Sequence, residues 1–160
     1  MLSQHTTMEP ATSSMETFHK LADRWTLWAH LPHNTDWSIT SYIPIATFTT
    51  VEDTLAVTET LPAVLVENCM MFVMKEGVKP TWEDPKNRNG GCFSYKISNK
   101  NVYKVWKDLT YVVAGSTISK NSGFVNCVTG ITISPKKISV SLKFGWPTAT
   151  IKTLRRLQPM

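Results

Sequence analysis

No stretch of this 160-residue chain is apolar for long enough to span a membrane. The N-terminus has neither the hydrophobic segment of a secretory signal nor the arginines of a transit peptide, so the expected location is the cytoplasm. Cysteine is scarce: Cys69, Cys92 and Cys127 are odd in number and widely spaced, which excludes a zinc knuckle and suits a reducing compartment. Histidine is absent after position 33, and the loop containing Pro32 between His30 and His33 gives these two and Asp36 no rigid metal-ligand spacing. There is no Gly-x-Ser-x-Gly turn, no glycine loop to cradle phosphate and no recognisable Cys/His couple. With no metal or cofactor site to expect, enzymatic readings start weak. Glu52 and Asp53 read as helix-start charges that complement the dipole, not as a catalytic pair.

What the chain does have is 42% hydrophobic and 18% charged residues, a globular balance, and length enough for one domain that buries roughly two thirds of its unfolded surface. The net charge of +5 is a mild excess that suits an anionic partner such as nucleic acid or a phosphorylated ligand. Six tryptophans in so short a chain are more than a core needs, and one or two are expected at a ligand surface.

Taken in order, residues 1–17 are rich in Thr, Ser and Met without apolar period and read as a disordered tail, leaving 18–160 as the folded domain. His19 to Trp28 reads as a strand, broken by the turn residues Leu31 to Asn34. Trp37 follows that turn between Asp36 and Ser38 and is expected to be partly exposed. Ser41 to Phe48 is a second strand, and Thr49 with Glu52 suggests a capping box for a helix that ends by Pro62. Asn68 to Met74 has strand length and character. A turn at Lys75 to Val78 and another at Asn87 to Gly91 bracket Trp82 and Glu83.

Phe93, Tyr95 and Ile97 alternate as a one-sided strand should. The spacing of Val102, Val105, Trp106, Leu109, Val112 and Val113 predicts an amphipathic helix on a sheet, with Trp106 in the core. Strands return from Phe124, and Ile138 to Phe144 alternates cleanly with Ser139, Ser141 and Lys143. Thr148 to Leu157 has the pattern of a short terminal helix. This order of elements predicts an α+β fold, a mostly antiparallel sheet with two or three helices on one face and the other face free.

The stretch Pro80-Thr81-Trp82-Glu83-Asp84 carries the chemistry. An indole followed at once by a carboxylate, in a loop between strands, suits a flat, cationic ring with hydrogen-bond donors on its edge, and a second loop tryptophan, Trp37, could cover the other face. From about His19 to Lys143 the chain resembles the eukaryotic translation initiation factor 4E family, which binds the 7-methylguanosine cap of messenger RNA. The likeness rests on RWTLW (Arg24 to Trp28), TDW ending at Trp37, FTTVED (Phe48 to Asp53), GVKPTWEDPKNRNGG (Gly77 to Gly91) and the helix holding Trp106.

The resemblance implies a curved sheet with helices on its convex face and a ligand slot on the concave side. It makes Trp37 and Trp82 the walls of a cap slot, Glu83 the reader of the guanine edge, and Val51, Leu55 and Asp108 part of a convex surface for scaffold factor 4G or 4E-binding proteins. It also exposes departures. Cys92 stands where the family has an arginine reaching for the cap phosphates, which leaves Lys136, Lys137, Lys143 and Arg88 as phosphate candidates. Ser141 replaces the tryptophan that touches the N7 methyl group, with Trp146 near in sequence, and Leu55 replaces the tryptophan of the partner-binding helix. The family's last strand is missing, which would leave a sheet edge open. The expected function is therefore cap binding without catalysis, with two alternatives. One is a decoy or adaptor working through protein partners; the other, a decapping hydrolase, would need an acidic metal cluster that the sequence does not offer.

Overall fold

Strand alternation decides which residues meet the helices and which meet the ligand side. The computed structural model describes residues 17–135 and the backbone of residues 139–144. Its strands are β1 (Lys20–His30), β2 (Tyr42–Thr50), β3 (Met70–Lys75), β4 (Gly91–Lys96), β5 (Val128–Ser134) and β6 (Ser139–Phe144). They form one six-stranded sheet in the order β2-β1-β3-β5-β6-β4. Every pairing is antiparallel.

The helices are α1 (Val51–Thr60), α2 (Ala63–Asn68), α3 (Pro85–Arg88), α4 (Asn99–Ala114) and α5 (Ser122–Cys127). Three of these, α1, α2 and α4, pack together on one face, with α4 lying against β1 and β5. Trp25, Leu27 and Ala29 of β1, Met71 and Val73 of β3, and Ile131 and Ile133 of β5 point into this layer and meet Val66, Val102 and Trp106. Burying a side chain of that size stabilises the fold by about 1.5–3 kcal/mol. Trp106 is fully enclosed, as the helical spacing predicts.

The intervening residues face the other way. Phe72 and Met74 of β3 gather Tyr42 and Val78 into a second, smaller cluster, with Trp28, Ile39 and Met70 at its margin. The sheet's second face is thus partly clothed, where the sequence suggests a free one.

Several local expectations shift. The helix cap of α1 is Thr50, one residue later than expected: its hydroxyl accepts from the Asp53 N–H at 3.0 Å, and the Asp53 carboxylate accepts in return from the Thr49 N–H at 3.3 Å. Glu52 is instead drawn to His19, whose Nδ1 lies 2.6 Å away. Phe124 sits in α5, not in a strand, and packs against the main core from there. β4 lacks the buried side that its alternation suggests, since it lies at the sheet's edge with Phe93 and Tyr95 both exposed. The N-terminal 16 residues, Lys136, Lys137, Ile138, Trp146 and the Thr148–Leu157 segment lie outside the described residues.

Candidate functional site

Two loops build the site, and each is braced by its own short polar side chains. In the 31–38 connection, Asp36 accepts from the N–H and the hydroxyl of Ser38, both at 2.8 Å, and these two bonds hold its carboxyl below the ordinary carboxylate value. The Ser38 hydroxyl also meets that of Thr40 at 2.7 Å, and Asn34 accepts from the Asp36 N–H. Such side-chain to backbone bonds set loop geometry without regular structure. Trp37 is therefore carried on an ordered turn, 53% exposed, so one side of the ring is available.

The other side of the indole is occupied. His30, the last residue of β1, stacks on Trp37 with ring centroids 4.3 Å apart and planes within 1°. Its Nε2 lies 2.8 Å from the Asp36 carbonyl; because a carbonyl only accepts, Nε2 carries a hydrogen and donates. Tyr42, the cross-strand partner of His30, tilts against the imidazole at 5.1 Å. His30 and Asp36 do meet, but through ring N–H and main-chain oxygen. Among the described residues there is no group of three or more His, Cys, Asp or Glu side chains suited to a metal ion.

In the second loop Gly77 takes a φ of +74°, a left-handed turn that favours glycine, and sends the chain out of β3. Asp84 then caps α3: its carboxylate accepts from the Lys86 N–H and, across the loop, from the Lys79 N–H, both at 2.9 Å. Pro85 follows at the first helical position, where its missing N–H costs nothing. Asn87 completes the brace by donating its amide to the carbonyls of Lys79 and Thr81, each at 2.7 Å. The sequence suggests a plain turn from Asn87, whereas Asn87 and Arg88 close a short helix that Asn87 ties to the loop; Asp84-Pro85 is the capping signal that identifies it.

Between the two loops lies a cleft of about 630 Å³. Trp37, Ser38 and Ile39 form one wall, while Thr81, Glu83 and Pro85 form the other. Lys79 and Asp84 add one charge of each sign. The Tyr42 phenol is pushed above its ordinary pKa by burial and, second, by the negative charge of Glu83, which sets that carboxylate in electrostatic reach of the ring packed against His30.

The structure thus brings Trp37 and Glu83 to one cavity. Trp82 stands between two lining residues, but its own ring is outside the lining and 66% exposed. Of the phosphate candidates, Arg88 ends α3 and is exposed, and the backbone of Lys143 in β6 is directly opposite Cys92 in β4. Lys136 and Lys137 are not among the described residues. Lys79 was not foreseen in the lining, nor were His30 and Tyr42 as the rings stacked behind Trp37; the strand parity that buries Trp25 and Leu27 on one face sends His30 and its partner Tyr42 to the other.

On the opposite side of the sheet, Val51 and Leu55 are exposed one turn apart on α1. The next residue in that row, Glu59, bonds Lys107 and Tyr111 of α4 at 2.5 Å each, while Asp108 pairs with Lys104. These contacts hold Glu59 below its ordinary pKa, Lys107 contributing most. The candidate partner residues therefore lie along a surface that runs from α1 across to α4.

Comparison with known proteins follows the same outline. The family model described as Eukaryotic initiation factor 4E matches residues 20–153. A eukaryotic translation initiation factor 4E homolog of Acanthamoeba polyphaga mimivirus is 36% identical over 78 residues, 49% of this chain and 28% of its own length. Eukaryotic translation initiation factor 4E of Eremothecium gossypii is 29% identical over 141 residues, 84% of this chain and 64% of its own. The chain thus spans less than two thirds of these relatives. A schistosome eIF4E crystallised with m7GpppA and 4E-BP superposes with a TM-score of 0.73 at 26% identity, covering 88% of this chain and 80% of that one. The C. elegans eIF4E-3 complex with Mextli and a cap analog also gives 0.73 and covers 88% of this chain and 82% of that one; at 22% identity it speaks for the fold alone.

Proposed function

The chain belongs to the eukaryotic initiation factor 4E family, and from that premise we propose that it binds the 7-methylguanosine cap of messenger RNA as a non-catalytic, cytoplasmic translation factor. The observation that carries this reading is the convergence of Trp37 and Glu83 on one cleft from loops far apart in sequence. Methylation at N7 turns guanine into a delocalised cation. Against an indole face that charge adds about 0.5–2 kcal/mol to a base stack worth about 1–3 kcal/mol. Trp37 offers such a face, and the exposed Trp82, held beside the cleft by Thr81 and Glu83, closes over the base as the second wall. The Glu83 carboxylate accepts the N1 and N2 protons of guanine as a charge-assisted pair of roughly 1.5–3 kcal/mol, which adenine cannot offer. Methylation is then read by the indoles and base identity by the acid.

The phosphate end is left to basic residues. Lys143, whose backbone is paired with Cys92, is a candidate for the charge lost there, with Arg88 and Lys86 on α3 and Lys136 and Lys137 as further candidates. Titration with 7-methylguanosine triphosphate is expected to quench tryptophan fluorescence, and indifference to that ligand would remove the reading. Glu83→Ala should lose more affinity for methylated guanine than for a methylated adenine analogue; equal losses would mean that Glu83 does not read the base.

A second reading is favoured by the exposed pair Val51 and Leu55 beside the α4 surface: an adaptor that works mainly through 4G-type or 4E-binding proteins, with weak cap binding. Val51, Leu55 and Asp108 would then carry the affinity. Capture by a peptide with the 4G helical motif but not by cap resin would decide for it.

A further inference from the structure

We propose that Lys79 is a second reader of the cap base, donating from its ammonium to guanine O6 while Glu83 takes the N1 and N2 protons beside it. The inference rests on Glu83 reading the guanine edge and adds a residue from the same wall. Lys79, Thr81 and Glu83 line the cleft as alternate residues of one segment, and among the described residues of that lining Lys79 supplies the positive charge. Its backbone is fixed at both ends: the N–H donates to Asp84 at 2.9 Å, and the carbonyl accepts from Asn87 at 2.7 Å. Neither bond uses the side chain, which is exposed.

The wall thus carries two opposite charges that do not neutralise each other. Among the described residues, neither Lys79 nor Glu83 takes part in an ion pair. Both are left to a ligand whose edge places an acceptor beside donors. Guanine has that edge, with O6 accepting next to the donating N1–H and N2–H groups. The lysine ammonium brings three hydrogens on a flexible stem and can follow O6.

Adenine reverses the pattern. It puts an amino group where guanine has O6, so donor meets donor at Lys79, and its N1 has no hydrogen for Glu83. An ammonium desolvated against an amine and left without an acceptor costs affinity. Adenine is then refused at two neighbouring points instead of one. Phosphate is the other common use of a lysine in a nucleotide site. Lys79 shares its wall with Glu83, whereas Arg88 ends α3 outside the lining, and this placement assigns Lys79 to the base.

The test compares wild type with Lys79→Met, which keeps a stem of similar length and removes the donor. Affinities for the N7-methylated triphosphates of guanosine, inosine and adenosine are measured by tryptophan quenching. The three ligands share the ring cation and the phosphates, so their ratios isolate the base edge. Preference for 7-methylguanosine over 7-methyladenosine triphosphate should fall about tenfold in Lys79→Met, the size of one charge-assisted hydrogen bond. Hypoxanthine keeps O6 and lacks the 2-amino group, so preference for the inosine ligand over the adenosine one should fall by the same factor. Preferences left unchanged by the substitution, as a phosphate contact would leave them, overturn the proposal, and so does a fall confined to guanosine. If the wild type binds none of the three, cap binding itself fails and this inference falls with it; binding with an unchanged preference removes the role of Lys79 alone.

Discussion

Replacing Asn87 by alanine would test whether the cleft is built in advance of its ligand. The Asn87 amide makes two 2.7 Å bonds, to Lys79 and Thr81 carbonyls, and the side chain is 6% exposed. Each such bond contributes about 1 kcal/mol net, so their loss costs about 2 kcal/mol. Lys79 is exposed and its carbonyl can turn to water, but Thr81 is buried, and its stranded carbonyl adds about 1 kcal/mol. Against this, the Asn87 Oδ1 is buried without a partner, and removing it returns about 1 kcal/mol. The net expectation is a loss of about 2 kcal/mol in urea unfolding.

Because the two carbonyls lie in the segment that leads to Glu83, cap affinity measured by fluorescence should fall by about tenfold as the loop gains freedom. Asn87→Asp is the sharper variant, since it aims an acceptor-only carboxylate at two carbonyls and should be worse than alanine. An unchanged urea midpoint with unchanged affinity in Asn87→Ala, or a milder effect in Asn87→Asp, would refute the bracing role.

Further outcomes follow from burial and charge. Trp82→Ala should leave the unfolding midpoint nearly unmoved because the ring is 66% exposed, whereas Trp106→Ala, emptying a fully buried site, should cost about 3–5 kcal/mol by the same urea assay. A Cβ at Gly130 would stand 2.5 Å from the Val73 carbonyl oxygen and 2.6 Å from the Met74 sulfur, so Gly130→Ala should destabilise by about 1–3 kcal/mol, read as a lower melting temperature. Glu59 is held below its ordinary pKa by Lys107 and Tyr111, so its contribution is present at neutral pH and lost as pH falls through its folded value. The melting temperature of Glu59→Gln should accordingly lie below the wild type at pH 7 and converge with it on acidification.

Elements whose periodicity is set by one covered face were legible from the residues. The alternation in β1 and the three- and four-residue spacing in α4 announce themselves because a single large core selects both. The α1 cap was ambiguous locally: Thr49 and Thr50 each have a carboxylate three residues on, and the choice falls to Thr50 because β2 continues to that residue and Glu52 is claimed by His19. At β4 the same alternation misled, since sidedness becomes burial only where another layer covers the strand. Short helices such as α2 and α5 hold too few turns to show a period. In the cleft, the Trp37 and Trp82-Glu83 segments were legible as chemistry. His30 was not, because its role comes from a loop folding back over a strand end.

The order of the sheet also has a consequence for how the protein is made. β4 is fourth in sequence, yet among the described strands it pairs with β6 alone, at the sheet's far edge. As the chain leaves the ribosome, residues 91–96 emerge well before residues 139–144. At about 5–20 residues per second, β4 would wait on the order of seconds for its partner. During that interval Phe93 and Tyr95 lie on an unpaired strand, directly after the loop that holds Trp82 and Glu83. The core of β1, β3 and α4 can form meanwhile, whereas α3, which touches β6, gains that contact only when the strand arrives. The cleft thus completes in two stages: its lining from Trp37 to Pro85 and the bonds that brace it are within residues already made, while the contact of α3 with the sheet edge comes only once β6 has emerged.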